Sequence, residues 1–281
     1  MIRITYAAGE TLPAVLTAMA PCIVAVSGGV DSLLLAVVAG RTLGNRGVVM
    51  AHAAGPAVPS DDTRRVREMA EAEGWDLRLV APGEMDDPNY VQNPVNRCFY
   101  CKSHLYTTLR QLGEAIFAGQ KAVIASGANT DDLTDYRPGM EAARRLGVRH
   151  PMIEAGMAKA DVRAVARELG LPFADIPASP CLSSRIFTGT PITDERLFAV
   201  ALAEGRLRRE TGLGLVRCRI DGATMRVELD PAVLADAEVM AVVTPVLDAL
   251  RNEIPARFAC LNDVGLEPRG YARGRAFTGK K

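Results

Sequence analysis

The chain has 281 residues, 48% of them hydrophobic and 23% charged, and its 33 basic residues balance 33 acidic ones. This is ordinary globular composition, which excludes a disordered, collagenous or coiled-coil chain, and neutrality supplies no net field towards nucleic acid or an anionic membrane. The length suits one large domain plus a small one.

No apolar run approaches the roughly 18 residues of a membrane span, and Met1-Ile2-Arg3-Ile4-Thr5-Tyr6 shows no signal pattern, so a cytoplasmic protein without a membrane partner is expected. Six cysteines are too few for a disulfide scaffold at this length. In a reducing compartment they are thiols, metal ligands or catalytic groups.

In chain order, Cys22-Ile23-Val24-Ala25-Val26 reads as a buried strand, Ser27 to Ser32 as a glycine turn, and Leu33 to Ala39 as the start of a helix. Val48 to His52 is a second strand, and Ser60-Asp61-Asp62-Thr63 caps a charged helix through about Glu73. Leu77 to Val80 and Ala122 to Ala125 are further strands, with a helix near Ser103 to Ile116 between them. Helices follow at Gly139 to Leu146 and Lys159 to Leu169. Such alternation predicts an α/β fold, a parallel sheet with helices on both faces.

The pattern then changes. A helix is predicted from Thr193 to Glu210, strands at Leu215 to Ile220 and Met225 to Leu229 around an Asp221-Gly222 hairpin turn, helices from Pro231 to Leu250, and a strand from Arg257 to Leu261. These describe a smaller α+β domain. The boundary is placed at residue 188, giving domains 1–188 and 189–281.

Ser27-Gly28-Gly29-Val30-Asp31-Ser32 lies where an open α/β sheet binds ligands, after a strand and before a helix. Two glycines let the backbone approach phosphate oxygens, the helix end and the Ser27 and Ser32 hydroxyls supply donors, and Asp31 suits a magnesium ion shared with the phosphates. A tight turn capped by serine is the bland reading. The pattern is similar to the phosphate loop of the N-type ATP pyrophosphatases, which include GMP synthetase, NAD synthetase and tRNA-thiolating enzymes. That resemblance implies ATP cleaved between its α and β phosphates to adenylylate a substrate. A looser Walker A match, Gly274 to Lys280, is rejected because Lys281 replaces Ser/Thr and no helix follows.

Gly127-Ala128-Asn129-Thr130-Asp131-Asp132 follows another strand and faces the same crevice, where Asn129 and the carboxylates of Asp131, Asp132 and Asp135 suit ribose, a cation or substrate, or cap a helix. Cys98-Phe99-Tyr100-Cys101 is expected in a loop before a helix at Lys102, with Arg97 lowering the thiol pKa values. Cys181 sits in the irregular stretch Ile176 to Cys181, whereas Cys22, Cys218 and Cys260 fall in apolar strand patterns and read as buried packing. Three ligand-competent cysteines suit an iron–sulfur cluster with one open iron. A redox pair, zinc with His104 or water, and ordinary thiols are the alternatives.

Taken with the phosphate loop, Asn93-Pro94-x-x-Arg97-Cys98-x-x-Cys101-Lys102, Asp135-Tyr136-Arg137-Pro138-Gly139 and Pro180-Cys181-Leu182-Ser183-Ser184-Arg185-Ile186 resemble the LarE family from about Ala20 to Glu228. Those enzymes insert sulfur into a pyridinium biscarboxylic acid mononucleotide, the precursor of a nickel-pincer cofactor. The resemblance implies an adenine-nucleotide α-hydrolase-like sheet, ATP and Mg2+ as cofactors, and adenylylation of a carboxylate that sulfur then attacks. In that family the cysteine matching Cys181 is either the sacrificial sulfur donor or one of three ligands of a [4Fe-4S] cluster, and Cys98 and Cys101 beside Cys181 match the second type. Arg217, Arg219 and Arg226 resemble the family's basic hairpin and suit the mononucleotide phosphate, with Arg185 a further substrate candidate, although a solvated, salt-bridged sheet face would look the same. A mononucleotide substrate, a sulfide donor and other copies of this chain are the expected partners. A tRNA-thiolating enzyme and an ATP-dependent amide ligase without sulfur chemistry are the rival readings; neutral charge and 5% aromatic residues weigh against nucleic acid.

Overall fold

The structure is a computed structural model that describes residues 11–134 and 137–277. The expectations placed on Met1 to Tyr6, on Asp135 and Tyr136, and on Lys280 and Lys281 lie outside those residues. Compact packing divides the chain into two units, the first comprising Met1–Glu84 and Cys98–Ser179 and the second Met85–Arg97 and Pro180–Lys281. Instead of a single cut at residue 188, the second unit therefore includes an excursion of the chain at 85–97.

In the first unit, α1 (Leu12–Thr17) precedes β1 (Cys22–Ala25), α2 (Val30–Gly47), β2 (Val48–Ala53), α3 (Ser60–Glu73) and β3 (Leu77–Val80). The chain passes through α4 (Pro88–Val91), which belongs to the second unit, and returns along α5 (Arg97–Ile116) to β4 (Val123–Ser126), α6 (Pro138–Arg145), α7 (Pro151–Glu154) and α8 (Lys159–Glu168). The strands form one parallel sheet in the order β3-β2-β1-β4. Alternation along the strands sends Cys22, Val24, Val48 and Met50 into a core with α1, α2, α3 and α8, while Ile23, Val49, Ala51 and Ile124 face Leu105 and Leu109 of α5. Both faces are covered, as the pattern of alternating apolar runs requires.

The chain crosses from β1 to β2 and β3 on one side and places β4 on the other. The order reverses between β1 and β4, and the carboxyl ends of such a pair form the ligand-binding crevice of open α/β sheets.

In the second unit, α9 (Asp194–Thr211) is followed by β5 (Val216–Asp221), β6 (Thr224–Leu229), α10 (Pro231–Ala235), α11 (Ala237–Arg257) and β7 (Asp263–Leu266). β5 and β6 are antiparallel across a two-residue turn at Gly222-Ala223, one residue beyond the expected Asp221-Gly222 because Asp221 pairs with Thr224 as the end of β5, and β7 adds in parallel to β6 after the α11 crossover. Val216, Cys218 and Ile220 are buried with Met225, Val227 and Leu229, which leaves the arginines on the opposite face. The strand expected at Arg257 to Leu261 is instead the end of α11 and a turn, and Cys260 lies in that turn.

Candidate functional site

The turn after β1 is built for close backbone approach. Gly28 has φ +89, and a β-carbon there would lie 2.8 Å from Asp62 Cβ and from the Asp62 carbonyl oxygen, so only glycine fits. Ser32, in the first turn of α2, accepts from the Ser27 amide at 3.0 Å and donates to the Gly29 carbonyl at 3.0 Å, while the Ser27 and Ser32 hydroxyls stand 3.0 Å apart. The Gly29 amide donates to Ser27 Oγ at 3.4 Å. Arg65 Nη1 donates to the Gly28 carbonyl at 2.6 Å and pairs with Asp62 at 2.8 Å, which fixes the outside of the turn. These bonds hold Ser27, Gly28, Gly29 and Ser32 together at the amino end of an 18-residue helix, whose positive end favours anions.

Asp31 belongs to the same helical turn, and both its carboxylate oxygens are engaged. Asn129 Nδ2 donates to Oδ1 at 3.1 Å, and the Lys159 ammonium pairs with Oδ2. Asn129 is buried, and its Oδ1 accepts from the Asp131 amide at 3.0 Å while its own amide donates to Asp132 Oδ2 at 3.1 Å, a reciprocal cap at the short 3-10 turn Thr130–Leu133. Asp131 is exposed on that turn, and Asp132 pairs with Arg137 at 2.6 Å. The structure thus brings Asp31 and Asn129 together from opposite sides of the β1/β4 switch. Lys159, at the start of α8, joins them without any motif to announce it.

Two histidines back the carboxyl edge of the sheet. His52 at the end of β2 is buried; its Nδ1–H donates to the Val26 carbonyl at 2.8 Å, so its Nε2 accepts from the Thr63 hydroxyl at 2.9 Å. Burial lowers its pKa from the ordinary 6.5, against the Val26 bond and the Asp62 charge, which oppose that shift. His150 Nδ1 lies 2.7 Å from Ser126 Oγ, and burial lowers its pKa too.

Cys98 and Cys101 are not in a loop. α5 begins at Arg97, so Cys98 and Cys101 lie one helical turn apart on one face of its first turns, and Gly139, lacking a side chain, leaves room for Lys102. Cys181 belongs to the second unit. Among the described residues no three His, Cys, Asp or Glu side chains are grouped to hold a metal ion.

In the second unit, exposed Cys181 immediately precedes the 3-10 turn Leu182–Arg185. Arg185 is 2% exposed and pinned on all sides: Nε and Nη2 grip Glu204 at 2.9 and 3.1 Å, and Nη1 donates to the carbonyls of Pro180 and Cys181 at 2.5 and 3.1 Å. Its donors are thus engaged by Glu204 and by the backbone of the Cys181 loop. Burial would raise the pKa of Glu204, but hydrogen bonding to Arg185 and the charges of Arg185 and Arg208 outweigh it and hold the group below the ordinary carboxylate range.

The hairpin arginines share one face, since Arg219 pairs in register with Arg226 and Arg217 with Glu228. Arg219 is buried against Glu228 at 2.8 Å, Arg226 pairs with Asp263 at 2.7 Å at the surface, and burial with the nearby Arg185 charge lowers the pKa of Arg217. Sequence reasoning missed Glu204 and Lys159. A carboxylate between Val200 and Leu207 on an apolar helix face was the available signal for Glu204; Lys159 had none.

A parallel sheet carrying Ser-Gly-Gly-x-Asp-Ser at its switch point defines an α/β protein of the PP-loop type. No family model matches the chain. It is 33% identical over 226 residues to the pyridinium-3,5-bisthiocarboxylic acid mononucleotide synthase of Lactiplantibacillus plantarum, an alignment covering 80% of each chain. It is also 44% identical over 209 residues to an uncharacterized protein of Synechocystis sp., covering 74% of this chain and 76% of the relative, and 25% identical over 197 residues to one of Methanocaldococcus jannaschii, covering 70% and 73%. The protein belongs to the LarE family, of which the Lactiplantibacillus synthase is a member. Among the described residues no helix is long and apolar enough to cross a membrane.

Proposed function

We propose that this chain is an ATP-dependent sulfur transferase that adenylylates a carboxylate of pyridinium-3,5-biscarboxylic acid mononucleotide and converts it to a thiocarboxylate, a step of nickel-pincer cofactor synthesis. The observation that carries this reading is the phosphate turn at the β1/β4 switch, with Asp31 held between Asn129 and Lys159. Membership of a family that contains a thiocarboxylate-forming synthase supports it.

In this reading the amides of the turn and the amino end of α2 bind the β and γ phosphates, and Lys159 stabilises charge that develops as pyrophosphate leaves. Magnesium needs only one or two protein carboxylates beside phosphate oxygens, which the Asp31 carboxylate satisfies once Lys159 moves to the phosphates; the ion would neutralise the leaving group. The substrate carboxylate oxygen attacks the α-phosphorus, and pyrophosphate departs. A carboxylate is a poor electrophile until this mixed anhydride forms. The Cys181 thiolate then attacks the acyl carbon and AMP leaves. Breaking the Cys181 Cβ–Sγ bond with loss of its Cα proton to water releases the thiocarboxylate and leaves dehydroalanine, so atoms and electrons balance without an oxidant. Arg185, held by Glu204, fixes the carbonyls around Cys181, and Arg217, Arg219 and Arg226 are the proposed phosphate-facing group.

The test is incubation with ATP, Mg2+ and the biscarboxylate mononucleotide. Acceptor-dependent AMP and pyrophosphate support the reading, and their absence overturns it. Mass spectrometry after one turnover then assigns the sulfur: loss of the elements of hydrogen sulfide at Cys181 supports sacrifice. An unchanged polypeptide that makes product only with bound iron and sulfide assigns Cys98, Cys101 and Cys181 to cluster ligation and overturns the sacrificial step. AMP formation dependent on tRNA would replace the substrate.

A further inference from the structure

Arg97 and Arg185 are the two charged side chains among the largest fully buried groups of the described residues. They differ in one respect. The Nε–Nη2 edge of Arg185 is filled by both oxygens of Glu204. On Arg97 only Nη1 has an acceptor, Asn93 Oδ1 at 2.9 Å, while Nε and Nη2 are buried with no hydrogen-bond partner. Four buried side-chain polar atoms lack a partner among the described residues, and two of them lie side by side on this guanidinium.

The open edge has a characteristic use. Arg41 places Nε and Nη2 at 2.9 and 2.6 Å from the two oxygens of Glu73, and Arg144 places them at 2.9 and 2.9 Å from those of Glu141. It is the fork that matches carboxylate and phosphate. A guanidinium offers only donors, so a buried one needs acceptors around it. The Phe277 ring lies 4.6 Å over the guanidinium carbon, but a ring stacked on that face offers no acceptor in the plane of the fork.

The surroundings hold the fork in place. Asn93, wholly buried at φ 55, donates from Nδ2 to the carbonyls of Phe187 and Thr190 at 2.8 and 2.9 Å, which fixes its Oδ1 towards Arg97. Arg97 is also the first residue of the 20-residue α5, where the helix dipole favours an anion.

We propose that Arg97 is an oxyanion site that receives the carboxylate or phosphate group of a small ligand on its Nε–Nη2 edge, with Asn93 as the positioning residue. The assignment rests on the hydrogen bonding of the second unit and is independent of the ATP reaction.

The experiment uses the full chain labelled with 15N-arginine, without ATP, and follows the Arg97 Nε–H resonance, assigned by its loss in Arg97→Lys. Inorganic phosphate and pyridine-3-carboxylate are titrated separately to about 10 mM, beyond the dissociation constant of a weak site. Saturable movement of this resonance is expected, and isothermal titration calorimetry should show at least about tenfold weaker binding in Arg97→Lys. Response to phosphate alone identifies a phosphate ligand, response to the pyridine acid alone a carboxylate, and response to both the shared oxyanion chemistry. Movement of neither means that water satisfies the fork, and the proposal falls. Should Arg97→Lys not fold, Phe277→Leu assigns the resonance by removing the ring over it, and the wild-type titration decides alone.

Discussion

Gly127 stands against Ser32 backbone to backbone: a β-carbon on Gly127 would lie 2.8 Å from both Cα and N of Ser32. The chain leaving β4 is thereby pressed onto the first turn of α2, and this approach is what brings Asn129 within hydrogen-bond reach of Asp31. Gly127→Ala should separate the two segments at a cost of about 1–3 kcal/mol in urea unfolding. Loss of AMP formation should exceed what the unfolded fraction explains. Unchanged stability and turnover would mean that the contact is dispensable.

Lys159 is a third exposed and its partner Asp31 a quarter exposed, so the ion pair contributes little to stability. Lys159→Met is expected to unfold within about 1 kcal/mol of the parent. Its rate of pyrophosphate release should drop by about 100-fold or more, as removal of one group stabilising a developing anion does. Stopped-flow pyrophosphate detection beside circular dichroism separates the two effects. Asp31→Ala should abolish release.

Breaking the buried pair at Arg185 is a different matter, because each partner is almost fully enclosed. Glu204→Ala leaves an uncompensated guanidinium and should cost about 3–5 kcal/mol, whereas Arg185→Met combined with Glu204→Leu should recover most of it. A double-mutant cycle by denaturant unfolding measures the coupling. If the proposal for Cys181 holds, the stable double variant should still fail to make thiocarboxylate, since the carbonyls of Pro180 and Cys181 lose their anchor.

Burial lowers the pKa of His52 below 6.5, so protonation favours the unfolded chain. Its stabilisation is complete above the ordinary value and declines as pH falls through it, because the unfolded state then binds the extra proton. The melting temperature should decrease between about pH 7.5 and 5.5, and His52→Gln should flatten part of that decline, leaving the share of His150, shifted in the same direction. A variant profile parallel to the parent would remove His52 from the account.

Thiol labelling should sort the cysteines by environment. Burial pushes the Cys22 thiol up to about 12 and raises Cys218 well above its ordinary value, whereas Cys181 is exposed. A disulfide reagent at neutral pH should consume Cys181 in a fast phase that Cys181→Ser removes, and reach Cys22 and Cys218 only on unfolding.

Much of this protein is written locally. Cys22 to Ser32 reads as strand, glycine turn and helix because period, β-branched residues and glycine conformation are properties of neighbouring residues, and Gly222 marks the hairpin turn for the same reason. The LarE family was likewise legible in short ordered motifs. Local reading failed where competing local preferences were nearly balanced: α5 starts at Arg97 and absorbs both CxxC thiols, and the stretch expected to be a strand is the last residue of α11 and a turn.

Only the tertiary structure decided which polar groups meet. Lys159 is 128 residues from Asp31, Asn129 98 residues from it, and Glu204 19 from Arg185. Charges so distant along the chain carry no mutual periodicity; the sheet order and helix packing bring them together, and enclosure then makes each pairing obligatory. The same enclosure left the fork of Arg97 without an acceptor, which no pattern of residue types along the chain expresses.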